Sequence, residues 1–412
     1  MKTLFKICLT VALLMGGTSQ AQESHVDFMM QPKWKQVLKT AKAQNKPIFV
    51  DAYTTWCGPC KIMDKEVFTD QYVANYFNTK YISVKMDMEK GEGIKLKDQW
   101  EVSAFPTLLY FDVAGNITHR VVGAYEADDF LVYSKMALDE NKMALNLQNR
   151  YDAGERDGTF MYNYLVSLRL GYYEDLEREV ANTYLSNLTN AQLLDKANWP
   201  VIKDFMKDPS TKQFQFLFSN IDKLRELHDP EEVNDKFFNT IDKQIQSWSY
   251  WYGDRPFETE KETALIHYLQ ESDYDKAPVL LAKLLANKYK RLDDKVQYLE
   301  AMDYIVKFNL AGSSSVIVSY ANNVINTFKS ESAWAKALNW LEIAEGKETK
   351  IEHKAAIFEA KSKVLQKLGK RSEAELAALA AKKADEQAEA EGTKIHSVPA
   401  MKMINMSPEK KD

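Results

Sequence analysis

Hydrophobic residues in the first third of the chain follow two alternating spacings. In residues 32–44 the hydrophobic residues recur at the spacing of one helix face, which predicts an α-helix. Residues 47–53 form an apolar run typical of a buried strand. The same reasoning predicts further elements, with a hairpin turn at Gly115: helices over 58–67, 70–77, 91–100 and 126–138, and strands over 81–87, 107–112 and 117–122. This order predicts an α/β fold, a central mixed sheet with helices on its faces, over residues 28–140.

Strand patterns end at about residue 141, and residues 141–388 predict an all-α region of successive helices. The breaks between them include Gly171, Pro209, residues 253–256 and Gly369. Residues 170–177 and 368–375 share one pattern, in which glycine closes a helix and polar residues begin the next. This pattern resembles the inter-helix turn of tetratricopeptide repeats, although no strict period of about 34 residues separates the copies. Residues 389–412 become polar and predict a disordered tail.

The first 21 residues have the pattern of a cleaved secretory signal. Lys2 and Lys6 precede a short apolar core over 7–15, and small residues before Gln22 suit a cleavage site. A membrane anchor is the alternative, but the apolar core is well short of the roughly 20 residues that a span needs. We therefore expect an exported protein without a membrane span after removal of the signal.

Composition excludes some classes of function. The chain has 412 residues, of which 45% are hydrophobic and 12% aromatic, enough for two or three domains with cores of their own. Its net charge of -5 comes from mixed signs, so nothing suggests nucleic-acid binding. The 15 glycines and 11 prolines are few for this length and favour long helices over a β protein with many turns.

The most informative chemistry lies in Cys57-Gly58-Pro59-Cys60. Two cysteines at this spacing at a helix start share one face and lie close enough to form a disulfide. Free N–H groups at a helix N-terminus stabilise a thiolate at Cys57, which is the nucleophile of disulfide exchange. Cys60, one turn later, can attack the resulting mixed disulfide and release the partner. The pair predicts a thiol–disulfide oxidoreductase.

Two other uses of this cysteine pair are less consistent with the sequence. A zinc site usually needs four ligands, and the six histidines are scattered without a pair at ligand spacing. A purely stabilising disulfide over two intervening residues would constrain little chain entropy. Cys8, the third cysteine, lies in the segment expected to be removed. We predict no metal and no cofactor.

The first domain resembles the thioredoxin family through several motifs in the right order. Residues 49–61 look like the active-site strand and loop of that family, and residues 104–108 look like its cis-proline loop. Gly115 and Gly123 fall where the family places glycines in its hairpin and last strand. Residues 61–70 look more like the subfamily that includes the C-terminal domain of the periplasmic disulfide-interchange reductases.

The resemblance implies a role for each catalytic residue. Cys57 would be the exposed attacking thiolate and Cys60 the buried resolving thiol. Asp51 would lie beneath the pair with a raised pKa and help to deprotonate Cys60, and Lys85 matches the lysine that the family places near that acid. A turn residue at the end of a strand is the alternative for Asp51.

The resemblance also implies a substrate-binding surface. Pro106 would be cis and face the disulfide, holding the Phe105 backbone open to pair with an extended substrate strand. Trp56, Gly58 and Pro59 would complete this surface beside Cys57. Simple core packing is the alternative for Trp56.

Two residues of this chain differ from the usual thioredoxin pattern. The differences leave the redox chemistry intact, but they do not identify the protein that donates electrons. Tyr53 stands where many thioredoxins have tryptophan, and Lys65 stands where many have a helix-kinking proline. The Gly58-Pro59 dipeptide resembles that of reducing thioredoxins. In the oxidising periplasm a reductase needs a membrane electron donor protein, and its substrates would be disulfide-containing exported proteins. The resemblance therefore implies a reductase or isomerase of exported proteins in a Gram-negative periplasm.

An interaction protein is the competing class. The helical region would then carry the main function by binding a protein partner on a concave surface, with the redox domain as an accessory or a redox sensor. The many aromatic residues would suit such a surface, but they suit plain core packing equally well. Insulin reduction discriminates between the two classes.

Overall fold

The computed structural model describes residues 25–249 and 257–393. The predicted secretory signal with Cys8, the break at 253–256 and all but the first residues of the predicted tail lie outside this range. The described chain divides after Met206 into two compact units, called here the N-terminal and C-terminal units. No helix among the described residues has the length and apolarity needed to cross a membrane.

A five-stranded mixed sheet forms the centre of the N-terminal unit, with the strand order β1-β3-β2-β4-β5. Its strands are β1 (Phe28–Met30), β2 (Ile48–Tyr53), β3 (Ile82–Asp87), β4 (Thr107–Phe111) and β5 (Ile117–Val122). Strands β1, β3 and β2 pair in parallel, and β4 runs antiparallel to both β2 and β5. The predicted mixed sheet is confirmed. Strand β1 was missed, because three residues carry too little pattern to predict a strand.

Helices cover both faces of this sheet. They are α1 (Trp34–Gln44), α2 (Gly58–Ile62), α3 (Gln71–Lys80), α4 (Gly93–Gln99) and α5 (Ala127–Met136). One face carries a core around Phe49, Phe77 and Phe130, and the other a core around Val50 and Val84. Adjacent β2 side chains thus serve opposite cores, as the two-residue period of a strand requires.

Local signals explain several element ends. The Asp70 carboxylate accepts the N–H groups of Tyr72 and Val73 and caps the start of α3, near the start of the helix predicted over 70–77. Gly115 adopts a positive φ of 92° in the β4–β5 hairpin, a backbone conformation that favours glycine. The predicted helix over 58–67 divides in two: α2 passes into a π-helical turn over Met63–Val67, closed by a hydrogen bond from the Phe68 N–H to the Met63 carbonyl.

Five further helices belong to the N-terminal unit. They are α6 (Ala144–Asp152), α7 (Gly158–Leu170), α8 (Glu174–Asn187), α9 (Asn190–Leu193) and α10 (Trp199–Phe205). The Ala144 N–H donates to Nδ1 of the buried His119 on β5 at 3.2 Å, and Leu170 packs into the core around Phe49. Helices after residue 140 therefore pack against the sheet. The domain boundary at 140 stays a prediction, and this packing affects how a shortened chain should behave.

The C-terminal unit contains only helices among its described residues. They are α11 (Lys212–Phe218), α12 (Ile221–Leu227), α13 (Pro230–Ser249), α14 (Thr259–Gln270), α15 (Ala277–Arg291), α16 (Lys295–Lys307), α17 (Ser314–Thr327), α18 (Glu331–Lys347), α19 (Ile351–Lys367) and α20 (Arg371–Ala390). Trp340 is fully buried in its core, and its indole N–H donates to the Asp303 carboxylate at 2.9 Å.

The predicted helical region is confirmed. Gly171 lies directly after α7, and Gly369 lies two residues after the end of α19, so both occur at helix ends as predicted. The likeness of these turns to tetratricopeptide repeats stays a prediction. The predicted tail begins inside α20, which continues to Ala390.

Candidate active site

Cys57 and Cys60 form a disulfide at the start of α2. Cys57 occupies the N-cap, and its sulfur accepts the backbone N–H of Cys60 at 3.1 Å. Pro59 suits the first turn of a helix, where its missing N–H leaves no helical hydrogen bond unmade. The cysteine motif thus has the predicted position at a helix start, with a backbone N–H directed at the Cys57 sulfur.

Both cysteines are buried in this disulfide form, with exposed fractions of 1% for Cys57 and 2% for Cys60. The expectation that Cys57 is exposed is therefore wrong for the oxidised protein. In this form the Cys57 sulfur is bonded to Cys60 and accepts the backbone N–H of Cys60. A substrate sulfur can therefore reach Cys57 only after the Cys57–Cys60 disulfide is reduced, or when a bound partner moves the residues that cover Cys57.

An aromatic rim lies next to the disulfide. Trp56 is 65% exposed, so the core-packing alternative for this residue is wrong. Its ring meets the edge of Phe105 at 5.9 Å between centroids, and its indole N–H donates to the Glu89 carboxylate at 3.0 Å. Lys97 Nζ lies 5.7 Å from the centre of the Phe105 ring. Glu89 and Lys97 were not identified from the sequence.

The Phe105–Pro106 peptide bond is cis, as the resemblance implied. The Pro106 carbonyl accepts the Gly123 N–H at 2.9 Å, which joins this loop to the end of β5. The Thr107 hydroxyl donates to the Ala104 carbonyl at 2.7 Å and closes the loop from the other side. Within the described chain, the Phe105 backbone N–H and carbonyl make no hydrogen bond, so both can pair with another backbone.

Asp51 and Lys85 form a buried ion pair on neighbouring strands. The β2–β3 register places the two residues opposite each other, and Lys85 Nζ lies 2.8 Å from Asp51 Oδ2. Burial raises the pKa of Asp51, and Lys85 opposes this rise only in part. The other Asp51 oxygen, Oδ1, is buried without a hydrogen bond. Asp51 lies inside β2, so the strand-end alternative is wrong, while its predicted action on Cys60 stays a prediction.

Asp64 is a second acidic partner of Lys85, and the sequence reasoning missed it. Asp64 Oδ1 contacts Lys85 Nζ from the π-helical turn after α2, and its side chain is 42% exposed. Burial acts to lower the pKa of Lys85, but the carboxylates of Asp51 and Asp64 together outweigh it and raise that pKa. An acidic residue four positions after Cys60 is the signal that could have drawn attention to Asp64.

Aromatic rings complete the surroundings of Lys85. Its Nζ lies 4.8 Å from the ring centre of Tyr53, 5.3 Å from that of Phe68 and 5.5 Å from that of Phe28. Such rings stabilise a cation held away from water. Lys85 is therefore a fixed positive charge between a fully buried carboxylate and a partly exposed one.

Within residues 25–249 and 257–393, no group of three or more histidine, cysteine, aspartate or glutamate residues could hold a metal ion.

Each of the following similarities to known proteins covers less than a third of this chain. A family model described as Thioredox_DsbH, protein of unknown function, DUF255, matches residues 18–98. The thiol:disulfide interchange protein DsbD of Yersinia pestis (strain Pestoides F) is 34% identical over 122 residues, which are 28% of this chain and 20% of that protein. DsbD of Pseudoalteromonas atlantica is 31% identical over 135 residues, 30% of this chain and 23% of that protein.

A solved structure described as a putative disulphide-isomerase from Bacteroides thetaiotaomicron is 43% identical, covering 29% of this chain and 98% of that one, with a TM-score of 0.27. The chain spans about a fifth of the length of the first curated relatives. These relatives, together with the mixed sheet, the Cys57–Cys60 disulfide and the cis-proline loop, identify the family of the redox domain. The domain of this chain that holds the Cys57–Cys60 disulfide belongs to the thioredoxin-like family of thiol–disulfide oxidoreductases.

Proposed function

We propose that the whole protein is an exported oxidoreductase that reduces or isomerises disulfides of periplasmic proteins. One observation carries the proposal: a Cys57–Cys60 disulfide at a helix start lies in the same domain as a cis-proline loop with a free backbone and a buried Asp51–Lys85 pair. These features supply a nucleophile, a resolving thiol, a backbone for substrate pairing and a base.

The proposed exchange begins with the reduced pair. The Cys57 thiolate attacks one sulfur of the substrate disulfide, forming a mixed disulfide and releasing the other substrate sulfur as a thiolate. The Cys60 thiol loses its proton and attacks the Cys57 sulfur, which releases the second substrate thiolate. Two electrons pass to the substrate, and Cys57–Cys60 becomes the disulfide. The Cys60 N–H directed at the Cys57 sulfur at 3.1 Å supports the first step, because a hydrogen bond stabilises a thiolate.

Asp51 would accept the proton that Cys60 loses. Its raised pKa suits this role, since a base with a pKa closer to the working pH takes up a proton more readily than an ordinary aspartate. Lys85 would position Asp51 and limit the rise of its pKa. The unpaired Asp51 Oδ1 is the oxygen available for the proton.

Substrate binding would use the surface beside the disulfide. An extended substrate strand could pair with the free N–H and carbonyl of Phe105, the main-chain mode called β-augmentation. The exposed Trp56 ring, held by Glu89, would pack on substrate side chains, with Gly58, Pro59 and Pro106 forming the rest of the contact. Main-chain pairing of this kind tolerates many substrate sequences.

The secretory pattern of residues 1–21 supports export, and the similarity to the periplasmic disulfide-interchange reductases supports the periplasm as the compartment. In the periplasm this protein would act on disulfide-containing exported proteins and would receive electrons from a membrane electron donor protein. The helical region would bind a protein partner. An interaction protein with an accessory or redox-sensing redox domain is the second candidate.

Insulin reduction tests the proposed activity. The dithiothreitol-driven rate should be well above that without protein and should disappear in Cys57→Ser. In the reduced protein, Cys57 should react with alkylating agents at neutral pH much faster than Cys60. Equal reactivity of the two thiols would contradict the assigned roles, and a rate unchanged in Cys57→Ser would exclude the enzyme. A Cys60→Ser variant expressed in the native periplasm should accumulate mixed disulfides and identify the substrates.

A further inference from the structure

The C-terminal unit has an open groove that no described residue fills. It lies along α14, α15 and α16 and has a volume of about 700 Å³. Its floor is apolar, formed by Leu281, Ala282, Leu285 and Ala301, with Tyr274, Tyr289 and Tyr304 around it. We call it the α16 groove.

One face of α16 extends the apolar surface of the groove. Val296, Tyr304 and Phe308 recur at four- or eight-residue spacing, so they lie along one side of the helix. Their exposed fractions are 68%, 42% and 62%, high for side chains of this kind. The Tyr304 and Phe308 rings contact each other with centroids 4.6 Å apart. An apolar stripe open to water beside a groove is typical of a docking surface.

The charged groups of the groove all have one sign. Asp273, Asp275 and Glu300 line it, and no lysine or arginine does. Asp275 pairs with Arg225 at 2.8 Å and Glu300 lies 3.5 Å from Lys336, so these two charges are partly balanced from outside. Asp273 has no ion pair among the described residues. The complementary ligand is an apolar segment with positive charges.

We propose that residues 394–412 of the same chain dock in the α16 groove. This segment combines the two properties that the groove selects. It contains four lysines against one glutamate and one aspartate, and its apolar residues are Ile395, Val398, Met401, Met403, Ile404 and Met406. Methionine is unbranched and adapts to irregular apolar surfaces. Pro399 and Pro408 are unfavourable inside a helix, so the sequence does not favour one continuous helix over this segment.

The end of α20 lies within reach of the groove. Helices α19 and α20 are joined by three residues, 368–370, and pack on each other as an antiparallel pair. The end of α20, with the buried Ala388, therefore lies near the start of α19 and the end of α18. There Lys347 Nζ donates to Asn309 Oδ1 at 2.8 Å, directly after α16. Residues 394–412 can span on the order of 60 Å at about 3.3 Å per residue, and α16 is about 20 Å long.

Peptide binding to a chain that ends at residue 393 tests the proposal. A fluorescent peptide of residues 394–412 should bind this shortened chain saturably. It should bind the full chain at least tenfold more weakly, because the tethered segment has an effective concentration of about millimolar. Amide hydrogen exchange in α16 should also be slower in the full chain than in the shortened one.

Matched variants decide whether the groove is the site. Asp273→Lys combined with Glu300→Lys should weaken peptide binding at least tenfold, and Tyr304→Ala should weaken it as well. Glu375→Lys and Leu376→Ala, two exposed positions on α20, should change it less than twofold. No binding to the shortened chain, equal binding to both chains, or insensitivity to the groove variants would overturn the proposal. Concentration-dependent dimers that disappear on shortening would also overturn it, since the segment would then occupy a second copy.

Discussion

At the residue scale, the Asp51–Lys85–Asp64 group is the part of the site where single substitutions are most informative. Lys85 lies between two carboxylates, one fully buried and one partly exposed. The two acids have different environments around one cation, so their substitution should have different effects. Asp51 should affect the rate of a chemical step, and Asp64 should affect the pH at which that step occurs.

Asp51→Asn should slow the resolving step about a hundredfold, because general bases typically contribute 10²–10⁴-fold, while the first attack by Cys57 should change little. Stopped-flow measurements that separate mixed-disulfide formation from its resolution would check this. Asp98→Asn, an exposed position on α4, is the control and should leave both steps unchanged. An unchanged resolving rate in a folded Asp51→Asn protein would rule out Asp51 as the base.

Asp64→Asn should lower the pKa of Asp51. The negative charge of Asp64 acts to raise that pKa, and without Asp64 the Lys85 ammonium interacts with Asp51 alone. Carboxyl titration by ¹³C NMR with labelled aspartate should show the shift, and the resolving rate should reach its plateau at lower pH. A titration curve for Asp51 that does not move would show that Asp64 is electrically independent of it.

His119 should make stability depend on pH. Burial lowers the pKa of His119 from 6.5 to about 4, so the folded protein holds it neutral where the unfolded chain binds a proton. The free energy of unfolding is therefore independent of His119 titration above about pH 6.5, and it decreases as the pH falls from about 6.5 to about 4. The loss is on the order of 3 kcal/mol. Calorimetric Tm values across this window should fall more steeply for the native protein than for His119→Gln, and parallel curves would contradict the prediction.

At the scale of elements, the contact between β5 and helices α6 and α7 is the feature that sequence patterns did not reveal. β5 is an edge strand of the sheet, and exposed edges invite unwanted pairing. The hydrogen bond between Ala144 and His119 and the packing of Leu170 attach these helices to the strand and its core. A chain cut after the last predicted sheet element loses both contacts.

A chain of residues 22–140 should still fold and reduce a generic disulfide, because every proposed redox residue lies within it. It should melt at least about 5 °C below a chain of residues 22–206, since removing a buried leucine side chain alone typically costs 2–5 kcal/mol. Circular dichroism melts of the two chains would measure the difference. Equal melting temperatures would mean that α6–α10 add nothing to the sheet.

At the scale of the whole molecule, the two compact units differ in the chemistry that their residues can perform. All redox residues lie in the N-terminal unit, and the C-terminal unit contains no cysteine. It can contribute binding energy by keeping a partner near the disulfide and raising its local concentration.

A chain ending at Met206 should therefore reduce insulin at the full rate but act at least tenfold more weakly on a substrate trapped by Cys60→Ser. Rates on both substrates, measured for the shortened and the full chain, test this. The full chain with Cys57→Ser is the control for background exchange. Equal losses on insulin and on the trapped substrate would show that the C-terminal unit is needed for the chemistry itself.

Much of this protein could be predicted from short stretches of sequence. The strand at 47–53, the Asp70 cap, the hairpin at Gly115 and the helical nature of the second half depend on periodicity and turn chemistry within a few residues. The same holds for the cysteine pair, because a spacing of three residues at a helix start brings the two sulfurs together whatever surrounds them.

Tertiary structure decided the features that depend on distant residues. Strand β1 exists because it pairs with β3, and its three residues have too little pattern of their own. Asp64 contacts Lys85 from a π-helical turn that no short pattern predicts. The pKa of His119 is lowered by burial, and a residue from beyond position 140, Ala144, contacts its ring. Cys57 is buried in the disulfide form, which its position at a helix start does not predict. Periodicity records which side of an element is apolar, but burial and ion pairing depend on what packs against that side.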